Sequence, residues 1–381
     1  YIFHASLVNC LLAITTFYIL KNFNLNIYLC FFYSICFAIL GYTTSGTLYV
    51  DHHSSLLCLL AVFCLIMAIK TERKKFLILL PIILGLAFLT KSAPSVYVFF
   101  SISVILILYI LIKKKFIWLS YLVLSSLSFL IITALFFEIA NINIENFFNQ
   151  YILFPSSIGK DRIAELNFLS ESVIFNYKFI YISFLPILIL SLVDVIKSTK
   201  NIVNKNFFYF LSLLFLIISL VIHQTNTRNQ EFIFFLIPVM SAFSSIYILN
   251  YEIKYKKYFS VFLIKLCLFV TLKYHFRFND ERRFHEMSEV NFNLSIDAKN
   301  IDKKLSGLKW ITPIFPLNPE KEIKFLKEII NILNKENKNT MVLSNYSFLS
   351  LVSNKNLHSP SRWFIPNGAA YPIENNKYYD E

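Results

Sequence analysis

"TSGTLYVDHHSSLLCLLAVF" (residues 44–63) starts as a Gly-containing turn and becomes an apolar run that continues to Ile69. At a rise of 1.5 Å per residue, about 20 mostly apolar residues cross a hydrocarbon core, so the run from Val50 reads as a membrane helix. Asp51, His52 and His53 stand at its mouth. A charge at the bilayer centre costs about 2.5–3.5 kcal/mol on insertion scales, so three ionisable groups gathered at one helix end call for a reason.

Working outward, the same apolar character recurs along most of the chain. Hydrophobic residues make up 56% of the 381, with 41 Phe, which excludes a soluble domain and indicates an integral membrane protein. Ten candidate helices follow at residues 3–20, 24–41, 50–69, 76–91, 95–112, 116–137, 178–196, 206–222, 231–249 and 258–273. The net charge of +13 sits in short loops such as "KTERKK" (70–75), "KKK" (113–115), "KSTKNIVNK" (197–205) and "KYKK" (254–257). Cations concentrated in alternate loops mark a cytoplasmic side, so the basic balance reports topology and not a nucleic-acid partner. Asp51, Lys91 and Arg228 then share the opposite face. The six Cys lie in apolar runs without paired spacing and read as small core residues.

Beyond residue 274 the composition turns charged and Asn-rich. "LKWITPIF" is strand-like, "NPEKEIKFLKEIINILNKENK" is an amphipathic helix capped by Asn318 with Pro319 in its first turn, and "TMVLSNYSFLSLVS" is a short strand running into a helix. The expected architecture is an all-α polytopic membrane bundle over residues 1–273, with a small extracytoplasmic α/β domain over 274–381. Neither a signal peptide nor a repeat is legible, and the start at Tyr1 reads as a truncation.

The unusual polar residues form three groups at one surface. Asp51 is suited to accept a hydrogen bond from the first turn of its own helix, or to join His53 in binding a divalent cation or a phosphate. Lys91, in "FLTKSAP" (88–94), is suited to the negative end of the helix it terminates, or to a phosphate on a lipid carrier. Arg228, in "HQTNTRNQE" (223–231), belongs either to a hydrated hairpin or to a set of donors for phosphate oxygens. His52 and His223 are further candidates.

At these residues the chain resembles the C-type glycosyltransferase superfamily, multispanning enzymes that take a sugar from a polyprenyl-phosphate or -diphosphate carrier. "TTSGTLYVDHH" is similar to its second acidic motif, "GLAFLTKSAPSVYV" to its Gly-containing helix ending in Thr-Lys before Pro, and "TRNQEFIFFLIPVMSAF" to its late Arg-containing loop. The resemblance covers about residues 1–250. It implies transfer from a polyprenyl-phosphate-linked donor at the outer face of the bacterial cytoplasmic membrane, to a lipid, glycan or protein acceptor. Asp51 and His53 would be the catalytic or metal-binding pair, with Mg2+ or Mn2+ as the cation, and Lys91 and Arg228 would hold the phosphate. The superfamily's first acidic motif has no match here, so the resemblance places it upstream of Tyr1. The Trp-Trp-Asp acceptor motif of oligosaccharyltransferases is absent. A lipid-linked-oligosaccharide flippase or other polytopic transporter, and a membrane-anchored scaffold, are the alternatives.

Overall fold

The structure, a computed structural model, describes residues 2–42, 50–156, 171–197, 204–227, 233–251, 255–280 and 290–342, together with 287, 346, 348–353, 355 and 357. The chain divides into two compact units, Tyr1–Glu281 and Arg282–Glu381. Among the described residues the first holds ten long helices: α1 (Ile2–Asn22), α2 (Ile27–Gly41), α3 (Val50–Thr71), α4 (Lys74–Thr90), α5 (Ser92–Lys113), α6 (Ile117–Ile139), α7 (Lys178–Lys197), α8 (Lys205–Thr227), α9 (Leu236–Asn250) and α10 (Lys256–Asp280). Seven of the described helices are long and apolar enough to cross a membrane, and α2 and α9 are shorter apolar helices of 15 residues each. The last helix continues to Asp280, past the expected end at 273.

Tight connections set the order. Asn24, Glu72 and Lys114 each take a left-handed backbone conformation, with φ near 55°, between α1 and α2, α3 and α4, and α5 and α6. One such residue closes a short helix–helix turn, so α1 and α2, and α3 and α4, pack as hairpins, whereas α6 packs on α4 instead of α5. Glu72 also bonds Lys115 Nζ at 2.7 Å and Lys205 Nζ at 3.1 Å, which brings the loops around 72 and 115 and the start of α8 to one end. These two lysines hold the Glu72 carboxyl below its ordinary range.

The core sits around α3 and α9. Every residue from Leu56 to Ile69 except Leu57 and Leu60 is buried, as is every residue from Leu236 to Ile248. By contrast α6 exposes Leu124, Leu127, Leu130, Ile131, Ile132 and Leu135. In water such a surface would aggregate, whereas against lipid it is the ordinary outer face of a bundle. Lipid gives helices little hydrophobic reason to associate, so hydroxyl hydrogen bonds and close packing hold them. Ser54 Oγ donates to Ala87 O (3.0 Å), Ser125 Oγ to Ile78 O (2.5 Å), Ser244 Oγ to Ser183 O (2.5 Å) and Ser241 Oγ to Ser183 Oγ (3.1 Å). Tyr33 OH meets Ser245 Oγ at 2.8 Å, and Ser101 Oγ meets Ser219 Oγ at 3.1 Å. Asp194 accepts from the Tyr251 hydroxyl.

The second unit is built on α11 (Pro319–Lys335). Asn318 Oδ1 accepts from Lys321 N at 3.2 Å, as its capping position predicts, and Pro319 starts the helix. Ile323, Leu326, Ile330 and Leu333 recur at helical spacing and pack with Ala298, Ile301, Leu305 and Leu349. Among the described residues strand content is smaller than the sequence pattern suggests. β1 (Ile296–Asp297) pairs antiparallel with β2 (Lys309–Trp310), and the ladder is two residues long. Buried Glu322 accepts from Thr312 Oγ1 (2.9 Å) and Tyr346 OH (2.8 Å), which offsets the cost of placing a carboxylate in this core.

Candidate functional site

Asp51, His52 and His53 are consecutive residues in the first turn of α3, and side chains on a helix turn about 100° per residue. They therefore face three different neighbours. Asp51 turns toward the α4–α5 junction and α8. His52 is 2% exposed, hydrogen-bonds the backbone of Gly41 at the end of α2, and lies 6.3 Å from the Phe235 ring. His53 turns toward α1, where its Nε2 lies 3.0 Å from His4 Nε2.

Asp51 is the centre of a largely buried polar cluster. Lys91 Nζ donates to both carboxylate oxygens, at 2.6 and 2.7 Å, and His223 Nε2 lies 2.9 Å from Oδ1. Helix ends supply the geometry. Lys91 is the extended residue between α4 and α5, where its own N–H still bonds Ala87 O at 3.0 Å, and Pro94 follows in the first turn of α5. Ser54 Oγ and Ser95 Oγ both donate to Lys91 O, at 3.2 and 2.9 Å, which fixes the junction from two helices. His223 comes from the last turns of α8, and is 1% exposed.

An ionised carboxylate only accepts, so His223 Nε2 carries the proton of that hydrogen bond. Lys91 already balances the Asp51 charge, and a neutral imidazole leaves the cluster without net charge, which limits the cost of burying it. The Asp51 side chain is 9% exposed and that of Lys91 is 30% exposed. An ammonium has three donors, and two go to Asp51. The third is available to an anion arriving from the exposed side.

The structure brings together Asp51, Lys91 and His223, and separates His52 and His53 from them. Arg228 lies outside the described residues, as does most of the Gly-containing turn before α3. The capping expectation for Asp51 changes too: its carboxylate goes to other helices, 40 and 172 residues away in sequence, through Lys91 and His223. A shared Asp51–His53 ligand pair is not formed, because residues two apart on a helix point in nearly opposite directions. Both Asp51 oxygens already receive donors from an ammonium, and among the described residues no group of three His, Cys, Asp or Glu converges to hold a metal ion. The residues as placed do not fit Mg2+ or Mn2+.

Two buried groups near this end escaped the sequence reading. Gln224, next to His223, is fully buried, and neither atom of its carboxamide has a hydrogen-bond partner among the described residues. Ser55 Oγ, one turn below Asp51, is also buried without a partner among them. The only sequence signal for Gln224 is its place between His223 and a polar loop. Comparison with known protein families, with curated proteins and with solved structures finds no match for this chain.

Proposed function

We propose that the protein is an integral-membrane glycosyltransferase that takes a sugar from a polyprenyl-phosphate-linked donor at the outer face of the bacterial cytoplasmic membrane. One observation carries the proposal: Asp51, Lys91 and His223 reach hydrogen-bond distance from three separate parts of the chain, at one end of apolar helices. A lipid-linked phosphate presents its charge at that depth, with its tail in the bilayer. Lys91 has one donor left for the phosphate, and Asp51 holds the ammonium in place. Fixed cations beside a departing phosphate stabilise the charge that develops as its bond to the anomeric carbon breaks. The motif resemblance in residues 1–250 supports the same chemistry, with membrane lipids around the bundle and a lipid, glycan or protein as acceptor.

A second reading, a flippase or other transporter for lipid-linked sugars, is favoured by a different observation. The Ser101–Ser219 hydrogen bond lies below His223 on α8 and extends polar contacts inward between α5 and α8. Polar groups at depth are what a translocation path needs.

One experiment separates the two. The purified protein is placed in liposomes containing polyprenyl phosphates that carry radiolabelled hexose or pentose, and both cleavage of label from the carrier and its movement between leaflets are followed. The glycosyltransferase cleaves the label from the carrier. Movement with the sugar–phosphate bond intact would establish the transporter instead.

A further inference from the structure

His53, which stands apart from the Asp51 cluster, has a partner of its own kind. Its Nε2 lies 3.0 Å from His4 Nε2, with the ring centroids 5.0 Å apart and the ring planes at 79°. His4 is in the first turn of α1 and His53 in the first turn of α3, so the contact joins two helix starts that are 49 residues apart in sequence. His4 is exposed and His53 is half-buried, which leaves the pair open to ions at the surface of the bundle.

Two imidazole nitrogens that face each other at this distance suit a metal ion as well as a shared proton. Nitrogen ligands about 2.0–2.1 Å from a metal lie about 2.9 Å apart at a right angle and about 3.3 Å apart at the tetrahedral angle. The observed separation falls between the two, so an ion fits with little movement of either ring. In the hydrogen bond, one ring carries its proton on Nε2. A neutral imidazole can hold that proton on Nδ1 instead, which turns both Nε2 lone pairs toward the gap without ionising either ring. Imidazoles with no carboxylate or thiolate beside them suit zinc, nickel or copper and not magnesium. Among the described residues no third His, Cys, Asp or Glu joins the pair, so water completes the coordination and the ion is exchangeable.

We propose that His4 and His53 form a binding site for a divalent transition-metal cation, which clasps the start of α1 to the start of α3. The site differs from the ligand pair expected from the sequence, because His53 is joined by His4 and not by Asp51. It uses none of the residues assigned to the donor phosphate, and it stands whether or not the protein transfers a sugar.

The test is Zn2+ binding by the purified protein in detergent, followed by its thermal midpoint and by competition with a chromogenic chelator. Zn2+ and Ni2+ are each expected to raise the midpoint and EDTA to reverse the rise, whereas Mg2+ at the same concentration leaves it unchanged. His4→Ala and His53→Ala each remove one of two linked ligands and are expected to weaken Zn2+ binding at least about 10-fold. His275→Ala, at an exposed histidine on α10, is expected to change it less than about twofold. The metal-free midpoints of the variants check that each still folds, and the exposed position of His4 makes its variant the safer of the two. A pair that only hydrogen-bonds would give a wild type with no Zn2+-dependent rise, which would overturn the proposal. Zn2+ binding that stays within about twofold of wild type in both His4→Ala and His53→Ala would put the ion elsewhere and overturn it as well. An equal rise with Mg2+ would do the same, because imidazole ligands do not select that ion.

Discussion

At the scale of single residues, the arrangement turns on what each charge is paired with. Asp51→Asn keeps the shape but leaves the half-buried Lys91 ammonium without its counter-charge. It should therefore lower stability by about 1–3 kcal/mol, read as a shift in thermal or denaturant midpoint in detergent. An unchanged midpoint would mean that the pair contributes nothing. Glu72 supplies a pH-dependent case. Its carboxyl is held below 4.5 by Lys115 and Lys205, so its contribution is fully present above that value and is lost as pH falls through the lower, folded-state value. The pair is about 38% exposed and thus worth less than about 1 kcal/mol. Glu72→Gln should lower stability by less than about 1 kcal/mol near neutrality and flatten the stability curve below pH 4.5, where variant and wild type converge. Asp51 and Lys91 stood out in the sequence because charge is rare beside apolar runs, but their pairing did not, because 40 residues separate them. His223 stood out less. Its role depends on which face of α8 meets α3, and the apolar pattern of a helix buried on several sides does not specify that face.

At the scale of elements, hydroxyls and small residues set helix packing. Ser241 and Ser244 place α9 against Ser183 of α7. Hydrogen bonds of this kind inside membranes average only about 0.6 kcal/mol, so Ser241→Ala should cost less than about 1 kcal/mol. Ser241→Leu inserts volume where backbones approach and should cost about 1–3 kcal/mol by overpacking. Unfolding in mixed detergents measures both, and equal effects of the two substitutions would contradict this account of the interface. Helix positions were legible in the sequence because length and apolar character are local properties. The short strands were overestimated for the same reason: "LKWITPIF" has strand-like composition, yet its strand spans Lys309–Trp310 alone, while the helix expected at the end of "TMVLSNYSFLSLVS" is present at Leu349–Val352. Partners across a sheet, not composition, decide whether a strand forms.

At the scale of the whole molecule, two claims remain to be measured. The basic loops that meet at Glu72 are proposed to be cytoplasmic, and the opposite end, with Asp51, to face outward. Reporter fusions at Lys114 and Gly307 should give opposite signals, and matching signals would overturn that orientation. The central claim is that the Asp51–Lys91 pair performs chemistry and does more than hold helices together. The double substitution Asp51→Asn/Lys91→Met separates these roles, because removing both charges leaves no ion buried alone and largely restores stability. The deciding measurement is cleavage of labelled polyprenyl-phosphate sugar by this double variant in liposomes, beside its unfolding midpoint. The account predicts a midpoint within about 1 kcal/mol of the wild type and cleavage reduced at least about 100-fold. A variant that folds equally well and cleaves the donor at the wild-type rate would contradict it.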